Sequence, residues 1–150
     1  MGVSGVEQRL TRLAWWVGAM VLVALAGVGC SDGKKKVYPV KGRVVDAEGK
    51  PAVGAVVILR DVSVADEGPN RPTGRVGEDG EFRLTYYTEG DGAPEGEYAV
   101  TLIWPTPRKS PFEPEGNDRY AGKFASPQSP LTRFRVERSP ANEIPLIQLP

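Results

Sequence analysis

Glycine and proline, 18 and 14 of the 150 residues, interrupt this chain too often for long helices and follow no collagen period. Between the interruptions the apolar residues recur at every second position. Tyr38, Val40, Gly42 and Val44 alternate with Lys41 and Arg43, the pattern of a half-buried strand. Residues 55–60, AVVILR, are apolar and β-branched enough for a more central strand. Asp79 and Gly80 suit a tight hairpin and lead into Phe82, Leu84 and Tyr86 on one face, with Arg83, Thr85 and Tyr87 on the other. Tyr98, Val100, Leu102 and Trp104 alternate until Pro105, and Phe134 and Val136 alternate against Arg133, Arg135 and Glu137. With a short strand at 74–76 and the closing NEIPLIQL, the count is seven. The sequence therefore predicts an all-β domain over 37–150, a seven-stranded sandwich whose two sheets share one core.

The N-terminal residues have a different character. Arg9 and Arg12 precede an uncharged run over 13–29 that ends in small residues, the three-part layout of a secretory signal. The run reaches Asp32, close to the ~20 residues that span a bilayer, so an uncleaved membrane anchor is the alternative. Either fate exports the remainder. Cys30 is the chain's one cysteine and has no partner for a disulfide. As an unmodified residue it would simply end a membrane helix.

The stretch LAGVGCS resembles the lipobox of bacterial lipoproteins. Val28 and Gly29 fit, whereas Gly27 stands where that family usually has leucine and Leu25 lies two positions further back. The resemblance implies removal of a hydrophobic signal segment, residues 1–29, with a diacylglyceryl group on the Cys30 sulfur and acylation of the new amino terminus. Two or more acyl chains anchor stably, at ~0.8 kcal/mol per buried methylene. Residues 30–36 then form a polar tether, whose lysines are either solvated or in touch with anionic headgroups. By the same resemblance, Ser31 favours the outer membrane, with the domain facing the periplasm or the cell surface. Losing residues 1–29 takes Arg9, Arg12 and Glu7 from 19 basic and 19 acidic residues, leaving a formal −1. A balance this even gives no indication of nucleic-acid binding or long-range steering.

Within the domain, KGRVVDAEGKPAVGAVVIL, GEDGEFRL and APEGEYAVTL resemble the carboxypeptidase-regulatory-like domain, which has a transthyretin-like, Greek-key β-sandwich. Gly42, Val44, Asp46, Gly49, Pro51, Gly54, Ala55 and Val57 carry the likeness first, then Asp79, Gly80, Phe82 and Leu84, then Pro94, Gly96, Tyr98 and Val100. Together with DRYAGKF, SPLTRFRV and NEIPLIQL, they make residues 37–149 look like the domain of a group of small bacterial lipoproteins. These are turn and core signatures, so they imply a fold more than an activity. Asp46 and Asp79 are expected to serve turns by accepting nearby backbone N–H groups.

Histidine is absent, which removes histidine triads, histidine metal ligation and the commonest general base. Acidic residues have no calcium-loop spacing. The expectation is a protein that is not an enzyme and carries no metal or cofactor. A covalent alternative follows from a likeness to surface sandwiches that join a lysine of an early strand to an asparagine of the last. Lys41 and Asn142 would be the pair here, with Glu81 or Glu97 as the assisting acid, although Lys41 alternates away from the core face.

Two binding readings remain. In one, the domain is an interaction or scaffold module, and the proline-rich excursion over 105–130 meets another envelope protein through Phe112, Asp118, Arg119, Tyr120 and Phe124, since aromatics and arginine carry much interface energy. The competing structural role is that Tyr120 and Phe124 pin the excursion onto the sandwich. In the other, the module binds cell-surface glycans through exposed rings, with Tyr87 and Trp104 as candidates. Clustered solvent-facing rings would favour glycan, and scattered rings would favour protein.

Overall fold

The computed structural model describes residues 33–63, 70–110 and 112–150. The signal segment 1–29, Cys30 and the first tether residues lie outside them. All regular elements among the described residues are strands. In chain order they are β1 (Val37–Tyr38), β2 (Val40–Val45), β3 (Val56–Asp61), β4 (Thr73–Arg75), β5 (Glu81–Arg83), β6 (Ala93–Pro94), β7 (Gly96–Ile103), β8 (Thr132–Val136), β9 (Asn142–Glu143) and β10 (Ile147–Gln148). The described residues are all-β.

One four-stranded sheet has the order β4-β3-β7-β8, every pair antiparallel. The apolar run of 55–60 thus forms an inner strand, as its composition requires. A second four-stranded sheet is organised around β2, which pairs antiparallel with β5 and parallel with both β9 and β10, and β1 and β6 form a separate two-stranded sheet. Along β2, Val40, Gly42 and Val44 point inward while Lys41 and Arg43 face solvent, so the period of two holds over 40–44 until the buried Val45 ends it. Both four-stranded sheets feed one hydrophobic core. Val44, Phe82, Ile144 and Ile147 come from the β2 side, and Val57, Leu59, Val100, Leu102 and Val136 from the other.

Three expectations need correction. In place of seven predicted strands the described residues hold ten segments, because prolines divide two of them and β6 forms within a predicted turn. Pro39 separates β1 from β2, and β1 pairs instead with β6. Pro145 separates β9 from β10, and both run parallel to β2, a pairing that local alternation cannot signal. The strand predicted over 82–87 stops at Arg83. Beyond it the Asp91 carboxylate accepts the backbone N–H groups of Tyr86 (2.7 Å), Tyr87 (3.0 Å) and Thr88 (2.9 Å) and folds them into a turn. Burial opposes ionisation of Asp91, and those N–H groups overcome it, so its carboxyl stays below the ordinary range.

The turn acids behave as predicted. Asp46 accepts the N–H groups of Glu48 and Lys50, each at 2.9 Å, and Asp79 accepts that of Glu81 at 2.9 Å. Glycine is required where chain segments touch. Gly92 has φ +102°, and a Cβ there would lie 1.8 Å from the Tyr38 carbonyl oxygen.

Candidate functional site

β7 ends at Ile103, and Pro105 cannot donate to a ladder, so the chain leaves the sheet at Trp104. The Trp104 indole is 7% exposed, and its Nε1–H donates to the Val53 carbonyl at 2.9 Å. Fourteen positions on, Asp118 closes the excursion. Its carboxylate accepts the backbone N–H of Trp104 (2.7 Å) with one oxygen and that of Gly122 (2.7 Å) with the other. The Arg119 N–H donates to the Trp104 carbonyl at 2.9 Å, and the Arg119 guanidinium covers the indole at 4.2 Å from its centroid. Next to this, the Tyr120 hydroxyl donates to the Pro150 carbonyl at 3.0 Å, and its ring packs edge-on against Phe124 at 5.0 Å. Phe124 in turn accepts the Leu102 N–H through its carbonyl at 2.9 Å.

Beyond that base, 105–110 and 112–118 form the two closely paired legs of an arm. Pro105 bridges Asp118 in antiparallel fashion, and the Thr106 N–H donates to the Asn117 carbonyl at 3.0 Å. Gly116 allows the approach, since a Cβ there would sit 2.0 Å from Thr106 Oγ1. The Glu115 carboxylate accepts from Arg75 of β4 at 2.8 Å and from Arg108 of the opposite leg at 3.2 Å. Arg75 also donates to the Gly54 carbonyl at 3.2 Å, which ties the arm to the body of the sheet. The hydrogen bond from Arg75, with the charge of both arginines, keeps the Glu115 carboxyl below its usual range. At the tip, the Glu113 N–H returns to the Ser110 carbonyl at 3.1 Å, and the Phe112 side chain is 97% exposed.

The sequence candidates therefore separate by role. Phe112 is presented to solvent, whereas Arg119, Tyr120 and Phe124 brace the base of the arm and Trp104 is buried beneath them. Tyr87 is 40% exposed and stands apart from that cluster. Its ring packs edge-on with Tyr86 at 4.5 Å, and its hydroxyl accepts the Lys35 backbone N–H at 3.0 Å. Burial and the negative charge of neighbouring groups raise the Tyr86 hydroxyl above its ordinary pKa. Trp104, offered as an exposed ring for the glycan reading, is buried, which is the structural role a strand-end aromatic more commonly has. Arg75, Arg108 and Glu115 escaped the sequence reading, because nothing local announces an ion-pair network reaching 40 residues along the chain.

The covalent pair is not assembled for reaction. Lys41 Nζ lies 3.5 Å from Glu143 Oε2 at the surface, while Asn142 is buried on the other face. The Asn142 carboxamide nitrogen donates to the carbonyls of Pro39 (3.3 Å), Glu137 (3.1 Å) and Ser139 (3.0 Å), and its oxygen accepts the Glu137 N–H at 2.9 Å.

No protein-family model matches the chain, and no curated protein sequence is similar to it. Among solved structures, the backbone is similar to that of a 9R-lipoxygenase from Cyanothece PCC8801, at a TM-score of 0.43 and 12% identity over 77% of this chain. The match spans 17% of the lipoxygenase chain. That protein is an enzyme by its description, and the expectation that this chain is not an enzyme is withdrawn as a conclusion. A likeness this low transfers neither fold nor activity.

Proposed function

We propose that this chain is a lipid-anchored protein of the cell envelope whose domain, a transthyretin-like Greek-key sandwich of the carboxypeptidase-regulatory-like kind, is an interaction module. The lipobox resemblance supports cleavage before Cys30 and attachment at the outer membrane. The arm at 105–118 is its contact with another envelope protein, and Phe112 is the anchor residue.

The observation that carries this reading is a phenylalanine 97% exposed at the tip of an arm whose legs and base are hydrogen-bonded and ion-paired into place. Burying such a side chain is worth about 1.5–3 kcal/mol, and a pre-ordered arm loses little further entropy when it docks. Aromatic side chains seated in a partner's pocket are the residues that dominate interfaces. The glycan reading lacks its discriminating feature. Among the described residues the two exposed rings, Tyr87 and Phe112, lie in separate connections, and the Trp104 face is covered by Arg119.

The test is site-specific photo-cross-linking in living cells, with a photoreactive phenylalanine placed at 112 of the full-length chain. A discrete protein adduct at 112, absent when the same group replaces the exposed Leu146, is the expected result. Equal labelling at both positions would reject the arm as a contact.

A further inference from the structure

The last tether residues are held against the domain before β1 begins, beside another basic residue from the far end of the chain. The Lys35 N–H donates to the Tyr87 hydroxyl at 3.0 Å, and the Lys36 ammonium sits 5.6 Å from the centroid of the Tyr38 ring. Arg138, just beyond β8, arrives at the same place. Its Nε–H donates to Glu95 Oε2 at 2.6 Å, which leaves the terminal guanidinium nitrogens for a second acceptor. Lys35, Lys36, Tyr38, Pro94, Glu95 and Arg138 line one open recess of about 550 Å³. Three cations against one carboxylate give it a net +2, although the chain after residue 29 is close to neutral.

We infer that this recess binds a phosphate group, with the headgroup of an anionic phospholipid as the source at the membrane. Arginine's planar fork and two mobile ammonium groups are the donor set that suits phosphate oxygens. Glu95 does not cancel the site, because it engages Arg138 through Nε, and among the described residues neither lysine ammonium is drawn into an ion pair with it. Position favours the lipid. Lys35 follows Cys30 by five residues, at most about 18 Å of extended chain, so acylation at Cys30 would hold the recess within reach of the headgroups. The lipid source rests on the anchor reading, whereas the phosphate chemistry rests on the recess itself.

The two can be tested apart. The full-length chain in neutral detergent is titrated with dihexanoyl phosphatidylglycerol, dihexanoyl phosphatidylcholine and inorganic phosphate, following the NMR signals of Lys36, Tyr38 and Arg138. Saturable shifts with phosphatidylglycerol and none with phosphatidylcholine are expected. The double variant Lys35→Gln/Lys36→Gln removes two of the three cationic donors and should need severalfold more ligand. Saturation by inorganic phosphate at equal or lower concentration would support the recess with a free anion as its source. Equal shifts with both lipids and none with phosphate, or an unchanged double variant, would overturn the inference. Failure of the anchor would appear instead as retained residues 1–29 in the intact mass, with the titration unaffected.

Discussion

The Asp118 carboxylate holds the backbone N–H of Trp104 at 2.7 Å, at the point where the chain leaves the end of β7 and fourteen residues before it returns. That bond, with the Gly122 N–H on the other oxygen, closes the base of the arm. Asp118→Ala would leave two backbone donors without their acceptor. The expected cost is about 1–3 kcal/mol, with faster amide exchange at Trp104, Arg119 and Gly122. Chemical denaturation and hydrogen exchange read both effects, and unchanged exchange at these amides would contradict the bracing role.

Phe112→Ala separates stability from contact. The ring is 97% exposed, so unfolding free energy should stay within about 0.5 kcal/mol of the parent while cross-linking through neighbouring arm positions is lost. A destabilisation beyond that range would mean that the ring packs against its own domain.

Two glycines rank in severity. A Cβ at Gly42 would meet the Phe82 ring at 2.6 Å, and that side chain can shift within the core. A Cβ at Gly92 would meet the Tyr38 backbone at 1.8 Å, from a φ of +102° that L residues resist. Gly42→Ala should cost about 1–3 kcal/mol, and Gly92→Ala should cost more. Urea unfolding of both variants decides the order.

Asp91 gives the fold an acid-sensitive turn. Its folded-state pKa lies below the ordinary value of 3.8, so its ionised form stabilises the fold at neutral pH. That contribution is lost as pH falls below about 3.8 and on through the lower folded pKa. Asp91→Asn should therefore be less stable than the parent at pH 7, by about 1 kcal/mol, and the difference should shrink as the solution is acidified through this window. A difference that stays constant from pH 7 to pH 2 would contradict the assignment.

Much of this architecture is legible in the sequence. Strands that alternate in burial, such as β2 and the 132–136 segment, write their period directly into residue type. What escapes is nonlocal. The parallel docking of β9 and β10 on β2 depends on the chain end returning across the sheet, and the Tyr86–Tyr87 turn depends on a carboxylate at 91. Phe112 stands out as an apolar residue in a polar stretch. The brace behind it joins Arg75, Arg108 and Glu115, which resemble any other surface charges until the fold brings them together. The recess is hidden for the same reason, since Arg138 lies about 100 residues from Lys35 and Lys36.

Every part of the functional proposal depends on how the chain is fastened. The most direct measurement is the intact mass and N-terminal fragment of the full-length chain expressed in a bacterium that processes lipoproteins, beside Cys30→Ala. The account predicts a product that begins at Cys30, carries acyl mass and is lost in the variant, with no further deficit of about 17 Da because Lys41 and Asn142 stay unlinked. An unmodified cysteine with residues 1–29 retained would contradict it.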